Sequence, residues 1–543
     1  VYASRDGILY RLLVTERGYG NAVYLKHPDD TFTVYAHMQR FNNKFQVIAD
    51  SIRLTDFSFE MDVIMDSLSI EVEQGDVIGY TGSTGIGPPH LHFEIRDSLQ
   101  QPINALRTNL SVKDDIPPVF SSLIVEPLTK DSRIEKRPTS YYTRNKSTKG
   151  GFVDFGKIKV SGKAGLAINV YDQANDVYNA YAVYSLALVH KNDTLFYEEL
   201  NGFSYDETSE MVLDRIAPFG STRRGHQRLY EKDGSDIPFY ITTKKGAEIE
   251  AQDSAQTFTI IASDYFGNTS KAQVTIVKDP LQSSATPTLN LDTPSWYWQE
   301  NWASPDLTNT LDLTLTDLGY QWTETQQIVP LDSGSYTSFT RITPNQSQKI
   351  QTPDKRLRLR FSEQAFYDTL TVTTSYSFID DEIHISLQPE MLPTKSDFGL
   401  EIFMGDFFKK NNAYRLFQKD KSDGSLDYVN SELIGRTIHA YPSDLGEFVI
   451  RPDNTPPTIA YFQIYQTDYG KWMASVQVKD EDTGIESSSA IFKINGIRGI
   501  AEYDYEEELL IYNLPDFSRD SSNTATIEIK DRAGNVASKT IEN

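Results

Sequence analysis

The stretch GPPHLHFEIRD, Gly87 to Asp97, puts His90 and His92 two residues apart in what reads as a β-strand. On a strand, residues i and i+2 share a face and lie about 6.6 Å apart along it. His90, His92, Glu94 and Arg96 are therefore expected on one face, with Leu91, Phe93 and Ile95 packing on the other. The same alternation in FTVYAHM places Thr33, Tyr35 and His37 together, opposite Phe32, Val34 and Ala36. Of eight histidines in the chain, three thus fall between positions 37 and 92 on strand-like sequence. Imidazole is a common metal ligand and an acid–base group near neutral pH. The chain has no cysteine, so a metal would be held by His, Asp or Glu. The pattern suggests a metal-dependent hydrolytic site, which needs three protein ligands and an open position for water.

The elements that must carry these residues are short alternating runs: GILYRLLV, NAVYLKH, FTVYAHM, DVIGYTG and HLHFEIR. Turn-forming stretches, ERGYGN, HPDD and GSTGIGPP, separate them. Such spacing predicts an antiparallel β domain. Residues 41–70 interrupt it with an insertion of mixed periodicity whose structure is left open.

Further along, DDIPPVF (114–120) and DNTPPTI (453–459) each read as an extended linker feeding a strand. Each has a matching close, SDYFGNTSKAQVTI and KDRAGNVASKTI, both containing D-x-x-G-N, at Asp264–Asn268 and Asp531–Asn535. This is an internal repeat suited to a tight turn into a final strand. The segments 114–278 and 453–543 resemble bacterial immunoglobulin-like β-sandwich modules. Between them, DPLQSSATPTLNLDTPSW reads as a linker, and LDLTLTDLGYQW and KRLRLRFSE alternate as strands. A β-sandwich is expected over 354–452, with DTLTVTTSYSF, EIHISLQPE and LGEFVIRPD among its strands; 280–353 is a linker or a small β module. The predicted class is all-β: an N-terminal antiparallel domain over 1–110 followed by several sandwiches.

Taken in order, GYGNAVYLKH, TVYAHM, VEQGDVIGYTGSTG, PHLHFEIRD and PINAL resemble the lysostaphin-type, or LytM-like, zinc metallopeptidases over residues 1 to about 107. The resemblance implies that His92, the second histidine of H-x-H, ligates zinc. It implies that His90 and His37 flank the open side, act on zinc-bound water and stabilise the oxyanion. The implied substrate is the cross-link peptides of peptidoglycan. The implied compartment is the periplasm or outer-membrane-associated envelope of a Gram-negative bacterium, with other envelope proteins as possible partners. The family's remaining ligands come from an upstream H-x-x-x-D motif, and this sequence contains none. Because VYASRDGILY opens on strand-like residues, a longer chain carrying the motif is expected. Two alternatives stay open: a site made of His37, His90 and His92 alone, and a non-catalytic scaffold in an envelope or secretion assembly. In "HPDD", His27 is read as structural.

The remaining features exclude more than they assign. With 76 acidic and 52 basic residues the net charge is −24, which disfavours phosphate backbones and hence nucleic acid. No apolar run is long enough to span a bilayer. The acidic run KDEDTGIESSS, with Asp480, Glu481, Asp482 and Glu486, raises calcium as a hypothesis. Its spacing does not match an EF-hand, and the run is read as a solvated turn, as is DKSDGSLD at 420–427.

Overall fold

The computed structural model describes residues 1–279, apart from 111, 130, 138, 150, 178, 217–224 and 233. It also describes 336–542, apart from 353, 368–369, 389–393, 411 and 421–422, and the short strands 297–299, 302–304 and 326–330. The linker expected near 281–296 and the LDLTLTDLGYQW strand lie outside the described residues. The chain divides into two compact units. One holds Val1–Ala105, Lys409–Arg415 and Pro452–Asn543; the other holds Leu106–Phe408 and Leu416–Arg451.

Strands dominate both units. In the N-terminal module, β1 (Gly7–Val14), β2 (Ala22–Lys26), β3 (Phe32–Ala36), β4 (Met38–Phe41), β5 (Met61–Ile64), β6 (Glu71–Val72), β7 (Gly79–Thr81), β8 (His92–Arg96) and β9 (Pro102–Ile103) follow in order. The main sheet runs β5-β1-β2-β3-β8-β9, with β6 also on β1, and β4 pairs separately with β7. All these pairings are antiparallel. The insertion left open in the sequence contains helix α1 (Asn43–Arg53), capped by the Asn42 side chain accepting from the Phe45 N–H. Asn42 is a favoured capping residue, and Phe45, Ile48, Ala49 and Ile52 follow at helical spacing. Phe45 and Ala49 are buried in the module's main core.

That core lies on one face of the sheet and includes Leu9, Leu12, Val23, Leu25 and Tyr35. A smaller cluster of Leu13, Ala22, Tyr24, Val34 and Ala36 covers the other face. Both faces of β2 and β3 are therefore buried, which corrects the expected polar face on FTVYAHM. Thr33 is buried and bonds His27 Nε2 at 2.8 Å, and the Tyr35 hydroxyl accepts from the Ser4 N–H at 2.9 Å. Polar groups inside a sheet persist where they are hydrogen-bonded in this way. Leu91 is corrected too: it precedes β8 and is 43% exposed rather than packed in a core.

In the unit that begins at Leu106, two sheets share one core containing Phe120, Leu166, Phe196, Phe258 and Ile276, forming a sandwich over 119–278. Strands Phe152–Ser161 and Thr269–Lys278 pair in parallel within it. The strands Leu357–Phe361, Leu370–Ile379, Glu382–Gln388 and Glu447–Pro452 fall where alternation placed them. The C-terminal sandwich, Thr458–Glu542, stacks two four-stranded sheets over Val476, Phe492, Tyr512 and Ile527. No helix among the described residues is long and apolar enough to cross a membrane.

The C-terminal sandwich shares a unit with the N-terminal module, and their contacts are specific. Phe59 packs against the C-terminal core. Arg53 Nη2 meets Glu502 Oε1 at 2.5 Å, with side-chain exposures of 3% and 21%. Burial works against the Glu502 carboxylate, but Arg53, Asn513 and Lys471 outweigh it and hold its pKa below the ordinary value. Arg40 lies 3.6 Å from the Tyr80 ring and 4.2 Å from the Tyr469 ring, a cation between two aromatic faces. Removing one partner of a buried ion pair leaves an uncompensated charge. Arg53→Ala should destabilise this unit by about 3 kcal/mol, near the lower end for such losses, because Asn513 still bonds Glu502 at 2.7 Å. A lowered urea midpoint for this unit checks it, and Glu502→Gln should cost less.

Candidate functional site

His37 follows β3 directly, in the left-handed backbone region at φ +58°. A side chain other than glycine seldom adopts this conformation and must be held there. Here three contacts hold it. The His37 N–H donates to Tyr19 O at 3.0 Å, its carbonyl accepts from the Gly82 N–H at 2.9 Å, and its ring Nδ1 meets Thr84 O at 2.8 Å. The expectation of His37 as an in-line strand residue is thereby corrected: the chain kinks at it between β3 and β4.

The two glycine-rich stretches supply those contacts by touching each other. A methyl group on Gly85 would lie 2.2 Å from Gly18 O, and one on Gly20 would lie 2.3 Å from the Thr84 carbonyl carbon. Only glycine permits so close an approach. Thr84 then bonds on three sides: its Oγ1 accepts from the Asn21 N–H and donates to Met38 O, while its carbonyl takes His37.

Across the sheet, β8 pairs with β3 so that His92 opposes Ala36 and Glu94 opposes Val34. Paired residues share a face, so His92 and Glu94 stand on the side of the small cluster with Ala22, Tyr24 and Ala36. His90 lies just before β8, in an isolated bridge with Gly82. The three histidines expected from the sequence converge. The His37 ring centroid is 4.5 Å from that of His90 and 5.5 Å from that of His92, which Tyr19 approaches edge-on at 5.3 Å.

The hydrogen bonds fix which nitrogens are free. His92 Nε2 donates to Glu94 Oε1 at 2.6 Å. The other Glu94 oxygen accepts from Arg96 Nε at 2.7 Å, and the Tyr19 hydroxyl donates to Oε1 at 2.6 Å. Burial pushes the Glu94 carboxyl up, but His92, Arg96 and Tyr19 more than reverse this and bring it down to about 2. An ionised carboxylate accepts only, so His92 carries its proton on Nε2 and presents a lone pair on Nδ1. His90 Nδ1 bonds Pro88 O at 2.7 Å, leaving its Nε2 as an acceptor. Burial lowers the His37 pKa, the Thr84 carbonyl opposes this, and His90 and His92 lower it further. His37 is thus neutral near pH 7, with its free lone pair on Nε2.

For a metal, this donor set fits in part. A ligating histidine typically gives its other ring N–H to a carboxylate, as His92 does to Glu94. A catalytic zinc needs three protein ligands and a structural one four. Among the described residues, no group of three metal-ligating side chains that includes a histidine brings its ligand atoms within 4.8 Å of one another. The trio of imidazoles alone therefore does not form such a group.

Sequence alternation put Glu94 and Arg96 beside His92 without giving them tasks; Tyr19 and Thr84 carried no signal because loop contacts bring them in. Nor did the sequence signal Glu506 of the C-terminal sandwich, whose Oε1 accepts from the Gly87 N–H at 3.1 Å, three residues before His90. His27, read as structural, is buried between Asp6 O and Thr33 Oγ1. His226 is buried against Ser122, and burial lowers its pKa to about 4.

No family model matches the chain. A segment of 111 residues is 32% identical to the DD-carboxypeptidase/endopeptidase Mpg of Neisseria meningitidis serogroup B, covering 20% of this chain and 20% of that protein. The Mpg of Neisseria gonorrhoeae matches to the same extent. The chain contains a peptidase-like domain. It spans about a fifth of the length of these curated relatives. Among solved structures, the catalytic domain of a mutant prophage-encoded M23 protein, EnpA from Enterococcus faecalis, aligns over 20% of this chain and 69% of its own. The identity is 21% and the TM-score 0.14, so that likeness carries no argument.

The Glu94 carboxylate makes a testable contribution to stability. Its folded pKa, about 2, lies below its ordinary 4.5, so the unfolded chain binds more protons between those values. The stabilisation is complete above pH about 4.5 and is lost as pH falls toward 2. Glu94→Gln should be less stable near neutral pH and should lack this part of the acid limb. Unfolding midpoints measured from pH 6 down to 2 for both proteins check it; parallel curves would contradict it.

Proposed function

We propose that this protein is a metalloendopeptidase, zinc-dependent, acting on peptidoglycan cross-link peptides, with its β-sandwich modules positioning the catalytic head. The supporting observation is the convergence of His37, His90 and His92, each with one ring nitrogen tied by a hydrogen bond and the other left as a lone pair. The partial match to a DD-carboxypeptidase/endopeptidase supports the same reaction class. The proposed compartment is the periplasm or the outer-membrane side of a Gram-negative envelope, where the substrate lies. Peptidoglycan is then the partner, alongside other envelope proteins.

Each residue has a proposed task. His92 would hold the metal through Nδ1, and Glu94, Arg96 and Tyr19 keep its ring oriented. Zinc, when bound, supplies a Lewis acid and a water acidified toward a pKa of about 7. His37 Nε2 is placed to take a proton from the attacking water, and its neutral state near pH 7 suits that role. His90, on the loop side, is placed to donate toward the oxygen of the scissile carbonyl once protonated, and its Nδ1 bond to Pro88 O fixes the ring.

A second reading has a specific observation in its favour. His92 has no two described ligand partners within range, as a degenerate peptidase fold serving as an envelope scaffold would show. The experiment uses the protein expressed from its complete gene, incubated with purified peptidoglycan of several cross-link types. New amino termini and zinc content are measured on the same samples. His92→Ala should lose zinc and activity together. His37→Ala and His90→Ala should keep zinc and lose about a hundred- to a thousand-fold in rate, the usual cost of removing one such group. Full zinc occupancy in His92→Ala would overturn the ligand assignment. Zinc-loaded wild type that releases no amino termini would favour the scaffold.

A further inference from the structure

The two sandwiches that share the D-x-x-G-N turn also share a cluster of carboxylates. Asp114, Asp172 and Asp264 each bring an oxygen within 4.8 Å of the others, and so do Asp453, Asp480 and Asp531. The positions correspond one to one. Asp114 and Asp453 each open a D-x-x-P-P segment. Asp172 and Asp480 each follow a strand, Lys163–Tyr171 and Trp472–Lys479. Asp264 and Asp531 each open the D-x-x-G-N turn. In both modules the asparagine of that turn clamps the cluster. Asn268 Nδ2 donates to Asp114 O and to Asp264 Oδ2, and Asn535 Nδ2 donates to Asp453 O and to Asp531 Oδ2.

Three carboxylates so close together need a compensating charge or protons. Asp172, Asp264, Asp453 and Asp531 are all more than nine-tenths buried. Burial, with Asp114 and Asp264 adding to it, pushes Asp172 up to about 6. Burial, with Asp453 and Asp531 adding to it, does the same to Asp480. A second observation points to a ligand: Asp172 Oδ1 is buried and has no hydrogen-bond partner among the described residues. An orphaned buried acceptor has lost its hydration with nothing in return, so such atoms are rare unless something fills the gap. In the C-terminal cluster, Asp453 Oδ2 accepts from Thr483 Oγ1 and Asp480 Oδ1 accepts from the Gly484 N–H, which orients both carboxylates.

The chemistry of the group is hard and all-oxygen, which disfavours zinc and suits calcium or magnesium. Calcium accepts six to eight oxygens in flexible geometry, whereas magnesium demands a near-ideal octahedron and usually keeps several waters, so a cluster of protein carboxylates suits calcium better. We propose that each of these two sandwich modules binds one calcium ion through its aspartate triad, fastening the D-x-x-P-P segment to the D-x-x-G-N turn. Asp480 lies in the acidic run read from the sequence as a solvated turn. Asp480 joins aspartates distant in sequence, while its neighbour Glu481 stays exposed and pairs with Lys479.

The test uses the full chain, stripped with a chelator, and titrated by calorimetry with calcium and separately with magnesium. About two calcium ions per chain are expected, with a higher unfolding temperature when they are bound. Asp172→Asn and Asp480→Asn should each remove one ion, and the double variant both; circular dichroism checks that the strands persist. Should Asp172→Asn fail to fold, Asp114→Asn, at a half-buried position, should remove the same ion. His92→Ala should leave both ions in place. No binding and no thermal shift at about 10 mM calcium, well above the weakest dissociation constants of extracellular calcium modules, would overturn the proposal. So would two ions retained by the double variant, or magnesium binding more tightly than calcium.

Discussion

The left-handed backbone at His37 is the constraint around which the candidate site is built. Such a conformation costs of order 1–3 kcal/mol and survives only when the surroundings over-determine it. Here Tyr19 from one glycine-rich stretch and Gly82 and Thr84 from another do so. The glycines at 18–20 and 82–85 let those segments approach closely enough to make the contacts. The kink turns the imidazole out of the strand direction and toward His90 and His92. A straight β3 would have continued into β4 and left the histidine beside the main core.

A second dependency runs through Glu94. A carboxylate in this half-buried position survives ionised because three donors face it. Its charge sets the tautomer of His92, and that tautomer decides which nitrogen is available. The face beneath is made of small and aromatic residues, Ala22, Ala36 and Tyr24, which leave room for imidazoles above. The electrostatics of the site are therefore set by a carboxylate that bonds His92, two positions along β8.

The C-terminal sandwich belongs physically to the N-terminal module although more than three hundred residues separate them in sequence. Arg53–Glu502, the Arg40 stack and Phe59 join the two. Glu506 reaches the same glycine-rich loop that positions His37 and precedes His90. A module that would otherwise be read as a spacer thus touches the loop that organises the histidines. The carboxylate clusters act on a different part of the architecture, where the chain enters each sandwich body.

The sequence by itself determined the all-β class, most strand positions and the trio of histidines. Those features rest on local alternation and composition, which a strand displays along its own length. It also exposed the repeated D-x-x-P-P and D-x-x-G-N motifs, because turns depend on a few adjacent residues. Helix α1 was legible only in hindsight, from Asn42 and the spacing of Phe45, Ile48, Ala49 and Ile52, since its apolar stripe is short. Tertiary structure alone decided that both faces of β3 are buried, because a second cluster covers what alternation marks as the polar side. It alone decided the kink at His37, the bond from Tyr19 to Glu94 and the meeting of Asp480 with Asp453 and Asp531. Each of these arises from segments far apart in the chain, and periodicity in a single segment carries no information about what another will press against it.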